Sequence, residues 1–173
     1  MDGGDPAKEI MKMYLYETAL QLDPILGMAE HRDCGALSVF AGTVRDHNEG
    51  KRVVRLAYTA FAPLAEKLMR EIEQETREKF GVPHCRVIHR LGMLEIGDVA
   101  IYCAVRAAHR GEAFAACKYA VDAVKHRVPI WKEEFFEDGS SAFNQGCCIR
   151  PDLPGDHAHD HAHGHHEHHH HHA

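Results

Sequence analysis

The segment CRVIHRLGMLEIGDVAIYCAVRAAHRGEAF, residues 85–114, decides the fold class. Its apolar runs predict one strand over residues 85–94 and a second over residues 98–108, joined by a glycine-containing turn. A helix is predicted to follow, over roughly residues 112–126. Two strands that run through a short turn and then into a helix indicate an α+β protein with antiparallel or mixed sheets.

Patterns on either side of this segment extend the same α+β architecture. The predicted elements are a strand near residues 12–18, a helix starting at Asp23 and Pro24, strands over 35–44 and 53–61 paired as a hairpin, a long amphipathic helix from Pro63 to Gly81, and a final strand over 129–136. The predicted element order is therefore β-α-β-β-α-β-β-α-β, with no internal repeat.

Length and composition indicate one globular domain with two appendages. We expect an N-terminal extension over residues 1–10, a folded domain over 11–150, and a disordered His-rich tail over 151–173. A net charge of −6 argues against a general nucleic-acid binder. The start lacks the apolar region of a signal peptide, and no run is long enough for a membrane span. Six cysteines without a C-x-x-C pair indicate a reduced, cytoplasmic protein.

The tail is unusual in its histidine content. Residues 156–173 hold 11 of the 17 histidines, which predicts loose metal binding. Three origins stay open: a purification tag, a native metal-binding tail, or a native tail that resembles a tag. No metal site is predicted in the folded part, where the sequence shows no zinc-ligand spacing.

The step AAHRGEAF places His109 and Arg110 immediately before the second helix. Backbone N–H groups and the positive end of the helix dipole point to the same place. Two cationic side chains there predict an anion between them. A solvated turn, with the charge offset by Glu112, is the equally plausible alternative.

Two lysines flank the apolar step Val-Pro-Ile-Trp in KHRVPIWKEE, residues 125–134. Lys125 suits a helix C-terminus for electrostatic reasons alone, whereas Lys132 in an alternating strand has no such explanation. Lysines in such a setting serve elsewhere as nucleophiles or as proton donors and acceptors. Arg45 leaves a strand end and is a candidate clamp for a phosphate or carboxylate, although pairing with Asp46 or Glu49 is commoner.

These stretches together resemble the large, catalytic subunit of molybdopterin synthase, the MoaE family. The matching pieces occur in the family's order and cover roughly residues 12–136. They are GALSVFAGTVRDHNEG (35–50), VVRLAYTAF (53–61), HRLGMLEIGDVAIYCAVRAAHRGEAF (89–114) and DAVKHRVPIWKEE (122–134).

The resemblance implies a fold, a reaction and partners. The implied fold is an α/β hammerhead with an additional antiparallel β subdomain. The implied reaction moves sulfur from the C-terminal thiocarboxylate of a small ubiquitin-like subunit ending in Gly-Gly to cyclic pyranopterin monophosphate (precursor Z), forming the dithiolene of molybdopterin. No cofactor is required. Large subunits pair as a homodimer, and one small subunit at each end makes a heterotetramer.

The resemblance also implies a role for each matching residue. The implied set is catalytic Lys125 and Lys132, substrate-binding Arg45, His109 and Arg110, and pocket or support residues Phe40, Trp131 and Glu134. The C-terminal segment departs from the family pattern, because Phe143 replaces a tryptophan and Arg150 is the sole arginine available there. Whether Arg150 reaches a neighbouring subunit's pocket therefore stays open.

Two other functions remain possible on the residues alone. One is a metal-handling module that uses the His-rich tail, and the other is a small-anion-binding regulator with the same cationic pocket and no turnover. Deletion of residues 156–173 separates the first from the enzyme, which keeps its activity without them.

Overall fold

The computed structural model describes residues 13–27 and 31–144. The predicted N-terminal extension (1–10), the predicted His-rich tail (151–173) and Arg150 lie outside the described residues. No helix in the described ranges is long and apolar enough to cross a membrane.

Two helices and nine strands make up the described chain. In chain order they are β1 (Leu15–Tyr16), β2 (Ala36–Thr43), β3 (His47–Asn48), β4 (Lys51–Ala60), α1 (Ala62–Phe80), β5 (His84–Arg90), β6 (Gly92–Glu95), β7 (Val99–Ala107), α2 (Arg110–Arg127), β8 (Ile130–Phe136) and β9 (Ser141–Asn144).

The first sheet has four strands in the order β1-β5-β7-β2. The β1–β5 pairing is parallel, and the β5–β7 and β7–β2 pairings are antiparallel. Both helices pack on one face of this sheet, and the apolar side chains between them form the main core. Met69, Ile72 and Val105 are completely buried there, so their side chains stabilise the fold strongly through the hydrophobic effect.

Helix α1 shows how the sequence sets its own ends. Pro63 lies in the first turn, where its missing N–H costs nothing, and Gly81 ends the helix in the left-handed conformation at φ +62°. Met69, Ile72 and Thr76 lie on one stripe and are buried, as the sequence predicts. Leu64, in the first turn of the helix, is 42% exposed.

The second sheet has five strands: β3-β4-β8-β9 in order, with β6 also pairing with β4. Its own small core contains Val53, Leu56, Leu94 and Phe136, all less than a tenth exposed. Antiparallel pairing of β4 with β8 places Tyr58 opposite Lys132 and Leu56 opposite Glu134. The outcome is a mixed α+β protein with two separate sheets, which agrees with the predicted class.

Three details of the predicted order are wrong. Strands β2 and β4 do not form a hairpin, because β2 pairs with β7 in the first sheet and β4 pairs with β8 in the second. The helix predicted at Asp23 is a single 3-10 turn, Asp23–Ile25, followed by Gly27 at φ +60°. The short strands β3, β6 and β9 were not predicted, since two to four residues carry too little periodicity.

Candidate active site

A cavity of about 230 Å³ lies between the ends of the two sheets and the C-terminal end of α2. Fourteen residues line it: Gly42, Thr43, Arg45, Leu56, Tyr58, His89, Ala100, Ile101, Val124, Lys125, Val128, Ile130, Lys132 and Glu134. Four of them, Arg45, Lys125, Lys132 and Glu134, were predicted as site residues.

Different elements carry these four side chains to one place. Arg45 lies in the loop that leaves β2, and Lys125 lies in the last turn of α2. Helix α2 ends at Arg127, because Pro129 follows and the chain turns into β8. Alternate residues of a strand share a face, so Lys132 and Glu134 both point into the cavity.

The lining depends on one glycine. A Cβ atom placed on Gly42 would lie 2.6 Å from the Ile101 side chain and 3.3 Å from the Phe40 ring. The pairing of β2 with β7 also shifts register between Gly42 and Thr43. Absence of a side chain at Gly42 therefore lets β2 pass close to β7 at the cavity wall.

A chain of hydrogen bonds holds Arg45 and Lys132 in position. Arg45 Nη2 donates to Asn48 Oδ1 at 2.9 Å, and Asn48 Nδ2 donates to Glu134 Oε2 at 2.8 Å. Lys132 Nζ donates to the other carboxylate oxygen of Glu134 at 2.8 Å. Because the Glu134 side chain is only 4% exposed, this carboxylate is a fixed anchor for two cations.

Lys125 differs from Lys132 in its surroundings. Among the described residues, no carboxylate lies within the 4.0 Å ion-pair distance of the Lys125 ammonium. Its Nζ lies 5.5 Å from the centre of the Phe40 ring, a cation–π contact. Lys132 is thus neutralised by Glu134, whereas Lys125 keeps its charge available for a bound anion.

His89 is a cavity residue that the sequence did not indicate. The side chain is buried, its Nδ1 lies 2.8 Å from the Arg90 carbonyl oxygen, and the Tyr58 ring packs edge-on against it at 4.9 Å. The pKa of His89 is lowered to about 4, chiefly by burial; the hydrogen bond to Arg90 opposes this change, and the nearby Lys125 charge adds to it. The imidazole is therefore neutral at physiological pH.

Two predicted substrate-binding residues lie elsewhere. His109 and Arg110 are exposed at the N-terminal end of α2, and neither lines the cavity. Arg110 precedes Lys125 by 15 residues of helix, which corresponds to roughly 22 Å at 1.5 Å per residue. The predicted cradle of Arg45, His109 and Arg110 does not form within one chain.

The predicted support residues Phe40 and Trp131 differ in their position relative to the cavity. Phe40 contacts Lys125, although it is not a lining residue. Trp131 lies between Ile130 and Lys132 on β8, faces away from the cavity and is 44% exposed. Strand alternation therefore places Trp131 outside the cavity lining, and its supporting role beside Lys132 stays a prediction.

Asn48 and Tyr58 were also missed. Asn48 follows Arg45 by three residues, and this spacing was the available signal that the two side chains interact. Within the described ranges, no group of three or more His, Cys, Asp or Glu side chains is arranged to hold a metal ion.

Comparison with known proteins identifies relatives over most of the chain. A family model described as "MoaE protein" matches residues 15–127. The molybdopterin synthase catalytic subunit of Bos taurus is 39% identical over 141 residues, covering 82% of this chain and 74% of that protein. The subunit of the same name from Bacillus subtilis (strain 168) is 37% identical over 152 residues, covering 83% and 95% respectively.

A solved structure shares the fold. The crystal structure of molybdopterin synthase from Staphylococcus aureus superposes with a TM-score of 0.72 at 34% identity. The match covers 77% of this chain and 96% of that one.

Proposed function

The chain belongs to the MoaE protein family, and we propose that it acts as the catalytic subunit of molybdopterin synthase, an enzyme of molybdenum cofactor biosynthesis. In this role it transfers sulfur from the C-terminal thiocarboxylate of a small protein subunit to precursor Z. Two transfers make the dithiolene of molybdopterin.

One observation carries the proposal: three cationic side chains converge on one cavity that contains a single carboxylate. Arg45, Lys125 and Lys132 supply three positive charges, and Glu134 offsets one of them. Both reactants of the proposed reaction are anions, since precursor Z carries a cyclic phosphate and the sulfur donor is a thiocarboxylate. A net positive, partly enclosed cavity favours holding two anions close together.

Arg45 is the proposed phosphate ligand. Its planar guanidinium suits bidentate contact with phosphate oxygens, and Asn48 fixes one of its nitrogens. The role of Lys132 is positional, because its ammonium is already bonded to Glu134. The Lys132 ammonium contributes to the positive electrostatic potential of the cavity, and its bond to Glu134 fixes its position.

Lys125 is the proposed catalytic group. The thiocarboxylate sulfur attacks a carbon of precursor Z, and the new C–S bond forms as the bond from that carbon to its oxygen substituent breaks. The displaced oxygen takes up a proton, and the carrier stays attached through a thioester. Water then attacks the thioester carbonyl, the acyl–sulfur bond breaks, and the carrier leaves as a carboxylate. An ammonium at Lys125 stabilises the oxyanion formed during hydrolysis and provides a proton to the departing thiolate.

This reaction as proposed needs no bound cofactor, since the carrier supplies the sulfur and water completes the cycle. The proposed assembly is a homodimer of this chain with one carrier subunit at each end. The finer fold assignment, an α/β hammerhead with an added antiparallel subdomain, is supported by the division into a helix-covered sheet and a separate antiparallel sheet.

The proposed substrate-binding role of His109 and Arg110 requires a second subunit. They lie at the far end of α2 from Lys125, so they can contribute to catalysis only in another subunit's cavity. Mixed dimers of Lys125→Ala and Arg110→Ala chains test this: recovery of activity supports the shared site, and its absence contradicts it.

Reconstitution tests the proposed function as a whole. The purified chain is mixed with precursor Z and a thiocarboxylated carrier, and molybdopterin is measured; the same carrier ending in an ordinary carboxylate is the control. We expect molybdopterin to form with the thiocarboxylated carrier and not with the control carrier. We also expect this activity to be retained after treatment of the chain with a metal chelator. No product from a folded chain would contradict the assignment.

A further inference from the structure

We propose that His89 is the hydrogen-bond acceptor that orients the pyranopterin ring in the cavity, and that it thereby determines substrate specificity. This inference rests on the proposed function and adds a residue for which neither charge nor sequence pattern predicts a role. It concerns how the ring is held, separately from how the phosphate is held.

The hydrogen-bonding state of the imidazole follows from its backbone contact. A carbonyl oxygen can only accept, so Nδ1 must donate its hydrogen to the Arg90 carbonyl at 2.8 Å. A neutral imidazole has one N–H group, which leaves Nε2 with a lone pair. His89 lines the cavity, and Nε2 is the ring nitrogen that remains to serve a bound molecule.

The imidazole is held rigidly and stays uncharged. Tyr58 packs edge-on against the ring at 4.9 Å, and the residue is only 7% exposed. Burial and the charge of Lys125 both lower the pKa of His89, which is about 4. The charged groups that line the cavity with it are Arg45, Lys125, Lys132 and Glu134. The acceptor at Nε2 is therefore retained throughout the pH range in which enzymes are normally assayed.

The charged groups of the cavity leave this role to uncharged side chains, and among these His89 offers the cavity an acceptor alone, because the hydroxyl groups of Thr43 and Tyr58 can donate as well as accept. Arg45, Lys125 and Lys132 have no acceptor atoms at all, so they suit the phosphate. Both carboxylate oxygens of Glu134 already accept hydrogen bonds, from Lys132 and Asn48. A reduced pterin carries amino and ring N–H donors remote from its cyclic phosphate, and these donors need an acceptor when water is displaced.

An acceptor in this position discriminates between substrates. A site built to accept a hydrogen bond disfavours an analogue without the donor, because the buried lone pair then stays unpaired. The cations hold any compact phosphate, whereas His89 recognises the ring edge. Binding of precursor Z and binding of inorganic phosphate should therefore respond differently to substitution of His89.

Equilibrium binding without the carrier subunit tests the inference, because no turnover occurs. We expect His89→Leu to weaken precursor Z binding by about tenfold to a hundredfold and to leave binding of inorganic phosphate unchanged. His89→Gln keeps an acceptor and should recover part of the affinity. His84→Leu is the matched control, since His84 lies at the other end of β5 and is not a lining residue.

Wild-type affinity for precursor Z in folded His89→Leu would overturn the inference, and so would an equal loss of precursor Z and phosphate binding. If His89→Leu fails to fold, nitrogen NMR of the wild-type imidazole decides. A shift of the Nε2 resonance on addition of precursor Z supports the contact, and an unchanged resonance excludes it.

The reconstitution assay separates this inference from the proposed function. Failure of the wild-type chain to make molybdopterin would contradict the proposed function itself. If the wild-type chain makes molybdopterin and His89→Leu binds precursor Z with unaltered affinity, only the proposed role of His89 is contradicted.

Discussion

The stability of the chain should fall in mild acid because of one buried histidine. His89 is buried, its pKa is about 4, and the ordinary value is 6.5. Between these two values the unfolded chain binds a proton at this residue and the folded chain does not. The free energy of unfolding therefore rises with pH across this window, and the contribution is lost as pH falls.

The size of the effect follows from the two pKa values. Integration of the linkage relation predicts a loss of about 1 kcal/mol by pH 6, about 2 kcal/mol by pH 5 and about 3 kcal/mol by pH 4, relative to neutral pH. Losses of this size are a large fraction of the stability of an ordinary domain.

Denaturant unfolding at a series of pH values measures this effect. His89→Gln cannot titrate at this position, and every other ionisable group is shared with the wild type. The difference between the two stability curves should therefore isolate His89. Parallel curves from neutral pH to about pH 4 would refute the reasoning, because they would mean that His89 is protonated as easily in the folded state as in the unfolded state.

Four substitutions test the site and the helix ends. Arg45→Ala should raise KM for precursor Z by about tenfold with a smaller change in kcat, and lost kcat at unchanged KM would contradict a phosphate contact. Glu134→Gln should lower the free energy of unfolding by about 3 kcal/mol, measured by denaturant melts, because it leaves the Lys132 ammonium unpaired; equal stability would argue against the anchor. Gly81→Ala should cost about 1 kcal/mol at φ +62°, whereas Gly111→Ala inside α2 should stabilise by up to about 1 kcal/mol, and thermal melts that rank the two in the opposite order would contradict the helix-end analysis.

The sequence correctly predicted those features of the helices and strands that depend on residues close together in the chain. Pro63 and Gly81 set the ends of α1, and the alternation after Pro129 correctly gave β8 with Lys132 on one face. The break at Pro129 also predicted that Lys125 and Lys132 belong to different elements, and both line the cavity. These features are encoded within a few residues of each other.

Partners distant in sequence could not be predicted in this way. Alternation shows which side chains share a face but not which strand lies alongside, so β2 was paired with β4 although its partner is β7. His89 appears in the sequence as one polar residue in an apolar strand. Its place in the cavity arises because β4 brings Tyr58 and α2 brings Lys125 to the same point.

Lys125 provides the most direct test of the proposed reaction. Lys118 on the same helix is the matched control, because its side chain is 80% exposed and paired with Asp122. In single-turnover reactions with thiocarboxylated carrier and saturating precursor Z, Lys125→Ala should form molybdopterin at least about a hundredfold more slowly, and Lys118→Ala at the wild-type rate. Formation of molybdopterin by folded Lys125→Ala at the wild-type rate would contradict the central claim that this unpaired ammonium performs the chemistry.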